Sequence, residues 1–191
     1  MDLDYMSNIK YIEVDIRRHT RLLHPKLVVL IVTSSSTGKI NIMPASWVMP
    51  TSVNPPLVTL ALSPRRYTYE LLQSKNEFTV NPVSMDMLKV VDYTGSVSGR
   101  ETDKLRGTGI RLLEPKALST PCIDDSLACI ECKLWAQYPA GDHVLVVGRV
   151  MAARVLGKAW RNDSYVLDVA KPLFHLGGDN YTTVTGDVFA P

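Results

Sequence analysis

The chain has 191 residues, 46% of them hydrophobic and 21% charged, and its Lys plus Arg count of 21 barely exceeds its Asp plus Glu count of 19, for a formal net charge of +2. At ~150 residues per domain this length predicts one domain, spanning 1–191, and a chain of this size buries roughly 70% of its unfolded surface. The composition excludes disordered, collagenous and disulfide-stapled classes, and the charge balance argues against a nucleic-acid partner, which calls for a clear basic excess.

Strand signals dominate in chain order. Residues 27–33 are a β-branched run ended by the turn cluster 34–38. Residues 40–48 read as the returning strand of a hairpin, with Pro44 forcing a bulge or an edge position. Further strands are expected at 57–62, entered through Asn54-Pro55-Pro56, at 78–81 and at 110–113. Two long ones follow at 128–138 and 143–156, with Ala140-Gly141-Asp142 turning between them, and 165–169 reads as a late strand. Helices are few: Thr68 caps 69–75, Ser84 caps 85–91, and Leu22-Leu23 lies in a short helix before Pro25. Many strands with a few helical connections predict a single β-barrel domain.

No apolar run reaches the ~18 residues of a membrane span. The acidic start Met1-Asp2-Leu3-Asp4-Tyr5 carries no signal core, and Arg17-Arg18 is not followed by an export-type sequence, so the expected compartment is the cytoplasm. An odd cysteine count (Cys122, Cys129, Cys132) in a reducing compartment argues against disulfides. Cys129-Ile130-Glu131-Cys132 fits a CxxC pattern, but residues three apart on a strand face opposite ways, so no metal site is expected.

Two segments carry candidate chemistry. Thr94-Gly95-Ser96-Val97-Ser98-Gly99-Arg100-Glu101-Thr102-Asp103-Lys104 combines glycines, hydroxyls and cations, the ingredients of a backbone nest for a phosphate. A short helical turn would set Arg100 and Lys104 on one side. The competing reading is a solvated loop. The segment is neither a Walker loop nor a dinucleotide fingerprint. The second candidate joins Ala45-Ser46-Trp47 with Ser63-Pro64-Arg65-Arg66-Tyr67-Thr68, both at strand ends, where backbone amides, hydroxyls and Arg suit a flat aromatic cofactor. Core packing, a solvated loop and a helix cap account for the same residues singly. His143 and His175 lack any metal or hydrolase spacing.

Taken together the segments are more specific. Asn41-Ile42-Met43-Pro44-Ala45-Ser46-Trp47, Asn54-Pro55-Pro56-Leu57-Val58, Thr68-x-x-Leu71-Leu72 and Glu77-Phe78-Thr79-Val80-Asn81 appear in order. Ser98-Gly99-Arg100-x-x-Asp103-Lys104, Glu131-Cys132, Gly141-Asp142-His143-x-x-x-x-Gly148-Arg149-Val150 and His175-Leu176-Gly177-Gly178-x-x-Tyr181 follow. This resembles the flavin reductase-like family over about 25–181, in its flavoredoxin and archaeal ferric-reductase-like branch. The resemblance implies a mainly β fold, a six-stranded antiparallel Greek-key split β-barrel with a few short peripheral helices, usually a homodimer, binding FMN. It implies Ala45, Ser46 and Trp47 along the flavin and its ribityl chain. Hydrogen bonds would come from Ser63, Arg66, Thr68 and Asn81, phosphate contacts from Ser98, Gly99, Arg100 and Lys104, and His175 would approach the flavin. Arg65 and Arg66 remain exchangeable by a one-residue shift. The implied activity passes hydride from NAD(P)H to the flavin and then electrons to a small-molecule or protein acceptor. An FMN-binding protein without NAD(P)H turnover and a pyridoxamine-phosphate-oxidase-like enzyme are the alternatives.

Overall fold

Val29–Ser34 (β1) is buried at every position. Val29 and Ile31 enter one core and Leu30 and Val32 another, so the unbroken apolar run belongs to a strand covered on both faces. The computed structural model describes residues 11–184 and 186. Strands Ile40–Ala45 (β2), Val48–Ser52 (β3), Leu57–Leu62 (β4), Glu77–Pro82 (β5), Ala128–Ala140 (β6) and His143–Val155 (β7) join β1 in one antiparallel sheet, in the order β2-β1-β5-β6-β7-β4-β3.

The edge strands β2 and β3 are separated only by Ser46 and Trp47. Three peptide steps span at most ~11 Å, so the sheet must curl until its two ends meet. No ladder closes them; the link is covalent. The single strand expected at 40–48 is thus two, and the sheet has seven strands where six were expected. The break falls where the chain leaves β1 as partner and takes up β4, and Trp47 O there accepts from Ala61 N at 3.0 Å.

The first core fills the curl, with Leu60, Leu62, Phe78 and Val146 nearly inaccessible. A Cβ on Gly148 of β7 would collide with the Phe78 ring and the Cys132 side chain, which accounts for glycine in the Gly148-Arg149-Val150 motif. The second core lies outside, where Val91 from helix Leu88–Ser96 packs against β1 and β2. Each buried side chain of this kind contributes ~1.5–3 kcal/mol.

Helix Tyr67–Lys75 (α1) begins earlier than expected, with Arg66 as N-cap and Thr68 already inside. Residues 165–169 are not a strand: Ser164–Tyr165 pairs with Trp160–Arg161 and Leu167–Ala170 is a helical turn. The hairpin Leu173–Gly177 with Asn180–Thr183 was not anticipated. No helix among the described residues is long and apolar enough to cross a membrane.

Cys122 and Cys129 form a disulfide, against the expectation from their odd number, with Cα atoms 5.8 Å apart. The ribbon pairing Leu112–Leu113 with Cys122–Ile123 folds back beside the start of β6, a proximity no spacing rule reveals. Cys132 points the other way, into the first core, as the strand geometry requires. Burial, with the Glu131 charge beside it, pushes its thiol pKa up to about 12.

Candidate functional site

The covalent seam between β2 and β3 is one wall of a cleft of about 710 Å³. Ala45, Ser46 and Trp47 supply that wall, Ser63 to Thr68 a second, and Thr94 to Arg100 with Lys104 a third. Both candidate segments therefore meet in one place.

The second wall is a turn. Arg66 N donates to Ser63 O at 3.0 Å, with Pro64 at the position where its fixed φ is favoured. This turn parts the two arginines: Arg66 lies close enough to Lys104 to disfavour its charge, whereas Arg65 lies near Asp142. Arg66 is thus the arginine directed toward Lys104.

The third wall is organised by Asp103, which accepts from Arg106 N at 3.2 Å and caps helix Lys104–Thr108 (α2). Its first residue, Lys104, is 5% exposed. Its Nζ donates to Ile42 O at 2.9 Å and Thr94 O at 2.5 Å, which leaves one N–H and, among the described residues, no counter-ion. Burial, reinforced by Arg66, pulls its pKa from 10.5 down to about 8. Arg100 does not share its helix; it lies in the preceding turn, half exposed, paired with Glu70 at 3.1 Å. Gly99 is buried, and a Cβ there would run into Asn41 and Tyr67.

Two buried polar atoms in the cleft, Ser63 Oγ and Asn41 Oδ1, lack a partner among the described residues. Asn41 Nδ2 donates to Thr68 Oγ1 at 2.9 Å, so Thr68 orients Asn41 and does not cap α1. At the Trp47 end, His143 stacks on the indole at 5.0 Å and its Nδ1 meets Asp142 Oδ1 at 2.7 Å. Their hydrogen bond and the imidazole charge hold the Asp142 carboxyl below its ordinary value.

Ten of the twelve expected residues line the cleft: Ala45, Ser46, Trp47, Ser63, Arg66, Thr68, Ser98, Gly99, Arg100 and Lys104. Asn81 and His175 do not. Asn81 is fully buried, donating to Leu30 O and Thr79 Oγ1 and accepting from Ile123 N, so its hydrogen-bonding groups are spent in holding β5. His175 bonds Gly178 O at 2.8 Å and lies between the His24 and Tyr181 rings. The cleft adds Asn41, Tyr67 and His143, which sequence patterns marked only as motif members or left aside.

Residues 23–179 match the flavin reductase like domain family. An uncharacterized protein of Archaeoglobus fulgidus is 31% identical over 169 residues, covering 88% of this chain and 94% of that protein. Flavoredoxin of Desulfovibrio vulgaris (Miyazaki F) is similar in structure, with a TM-score of 0.79 and 25% identity over 88% of this chain and 91% of its own. An FMN-binding protein from Thermus thermophilus with bound p-hydroxybenzaldehyde has a TM-score of 0.81 and 26% identity, over 96% and 99% of the two chains. With its match running from residue 23 to residue 179 of 191, the chain belongs to the flavin reductase-like family.

Proposed function

We propose that this protein is an FMN-binding oxidoreductase, an NAD(P)H-dependent flavin or ferric reductase or flavoredoxin-like electron carrier. The observation that carries the reading is the meeting, in one cleft, of a buried cation and buried polar atoms that have, among the described residues, no counter-ion and no partners. Such groups cost free energy unless a ligand completes them. Lys104, Arg66 and the hydroxyl of Ser98 would hold the phosphate. Ser63 Oγ and Asn41 Oδ1 would take up hydrogen bonds from the ribityl chain or ring, and the bare Cα of Gly99 lets the chain pack closely against Asn41. Trp47 and Ala45 would shield one side of the ring from water. FMN, when bound, supplies hydride acceptance from a nicotinamide and onward electron transfer. The chain's residues bind, orient and exclude water. The cleft volume lies high in the ~300–1,000 Å³ range of small-molecule sites, which supports room for a second planar molecule beside the flavin.

Purified protein is expected to be yellow and to release FMN on denaturation. Anaerobic NADH or NADPH is expected to bleach it. A colourless protein that refuses added FMN overturns the cofactor assignment. A yellow protein that neither donor bleaches overturns the reductase activity and leaves an FMN-binding protein. We also propose a homodimer, because Met49, Trp135 and Tyr138 stand more than half exposed on the sheet. Sedimentation at the monomer mass would contradict it.

A further inference from the structure

His24 and His175 are far apart in sequence and adjacent in the fold. Lys26–Leu27 pairs with Leu173–Gly177, which pairs in turn with Asn180–Thr183, and the cross-strand partners of His175 are Lys26 and Tyr181. His24, two residues ahead of Lys26, brings its ring to 5.1 Å from that of His175, with the planes 79° apart. Both ring nitrogens of His24 are buried and lack a partner among the described residues. Such a ring has lost water at two polar atoms and gained nothing in return. His175 is held differently: its Nε2 bonds Gly178 O at 2.8 Å. A carbonyl only accepts, so in the neutral ring Nε2 carries the proton and Nδ1 keeps its lone pair.

We infer that His24 and His175 together bind a divalent first-row transition-metal ion such as Zn²⁺, Ni²⁺ or Cu²⁺. Three features carry this. Such ions hold imidazole nitrogens at ~2.0–2.1 Å, which at a tetrahedral angle sets two ring centroids about 5 Å apart. Neutral imidazole is the ligand these ions share. An outer N–H fixed on a backbone carbonyl, as in His175, is the usual support of a metal-bound histidine. No cluster of three or more His, Cys, Asp or Glu forms among the described residues, so water fills the remaining positions.

The surrounding charges are balanced. Burial, joined by the charges of Asp92 and Asp179, raises the phenol pKa of Tyr181, whose ring lies 5.3 Å from that of His175. Against these carboxylates stand Arg21, whose guanidinium a Cβ on Gly177 would strike, and Lys26, whose ammonium turns to the Trp47 ring at 5.5 Å. Neither sign prevails, so the bonds to nitrogen decide. The ion also ties residue 24 to the hairpin 173–183, and the helix before it, Ile16–Leu23, buries no residue of its own.

The test takes untagged protein, stripped with a chelator, and titrates Zn²⁺ and Ni²⁺ by calorimetry. The wild type is compared with His24→Gln, His175→Gln and, as a control, His19→Gln at an exposed histidine. The expected result is one ion per chain, weakened roughly tenfold or more by either of the first two changes and less than about twofold by the third. Zn²⁺ should raise the melting temperature of the wild type and leave that of the first two variants unmoved, a response that a purely structural histidine pair does not give. Bound Cu²⁺ should show splittings from two imidazole nitrogens in its electron paramagnetic resonance spectrum, which tests the wild type without any substitution. The inference is overturned by the absence of saturable binding, by binding that either His24→Gln or His175→Gln retains, or by a Cu²⁺ spectrum with fewer than two nitrogens, which marks an adventitious ion only.

Discussion

Replacing Lys104 by Met is expected to weaken FMN ~10–150-fold and riboflavin no more than ~3-fold, because a charge-assisted hydrogen bond contributes ~1.5–3 kcal/mol and only FMN carries the phosphate. Met keeps an unbranched apolar stem in this buried position and removes the ammonium. The buried position makes the effect large. Lys104 is already held by two carbonyls that cannot neutralise it, so an arriving phosphate meets a preformed, unscreened charge. The same site predicts a pH dependence. In the flavin-free protein the Lys104 pKa is about 8. A bound phosphate favours the protonated amine and raises that value, so binding takes up a proton above pH 8. FMN affinity should hold steady from about pH 6, where a phosphomonoester loses its second proton, to about pH 8, and then fall by at most ~10-fold per pH unit. Without flavin the direction is opposite for stability. Between about 8 and 10.5 the unfolded chain keeps a proton that the folded chain has released, so this group makes the protein more stable as pH rises. Flavin-fluorescence titrations from pH 6 to 9.5 check the affinities, and denaturant unfolding of the flavin-free protein over pH 8 to 10 checks the stability. An equal loss for riboflavin, or an unchanged alkaline slope in Lys104→Met, contradicts the assignment.

The largest effect on stability is expected at Glu131, which is 1% exposed. Its carboxylate accepts from Lys116 N at 2.7 Å, Ala117 N at 2.8 Å and Leu118 N at 3.0 Å, and Arg154 stands 3.6 Å away. Burial would raise its pKa, but these donors and the guanidinium outweigh it, and the group lies below its ordinary value. Glu131→Gln sets an NH₂ among N–H donors and leaves Arg154 facing a neutral group. Breaking such a buried arrangement costs ~3–5 kcal/mol, and at ~2–4 °C per kcal/mol the melting temperature should fall on the order of 10 °C. Because the native pKa is depressed, the stabilisation is complete above the unfolded value near 4.5 and is lost as pH falls through the native one. The Gln variant should lack that acid-side loss. FMN affinity well below the melting temperature should stay near the wild type, since residues 116–118 do not line the cleft. A melting temperature within about 2 °C of wild type would show that the three amides find other partners.

The cleft was legible in part because its chemistry is written in short, continuous segments. Gly, Ser, Arg and Lys between 95 and 104 form a phosphate-type loop by composition alone, and Ser63-Pro64-Arg65-Arg66 is a turn whose geometry Pro64 sets locally. The central strands β4, β5, β6 and β7 were legible within two residues, because β-branched runs and the Gly141-Asp142 turn are local signals. Asn81 and His175 show the limit: a motif position does not say which way a side chain points. The depth of Lys104 is also tertiary, since the carbonyls that hold it belong to residues 42 and 94.

By itself the sequence determined a mainly β chain of this family, the two cofactor-type segments and the opposite facing of Cys129 and Cys132. All of these follow from residue type and strand period along a few neighbouring positions. Only the tertiary structure decided that 40–48 divides at Ser46-Trp47, that Cys122 meets Cys129, and that Arg66 rather than Arg65 approaches Lys104. Each depends on how far the sheet curls and what it brings alongside, and that curl is set by pairings between strands many tens of residues apart.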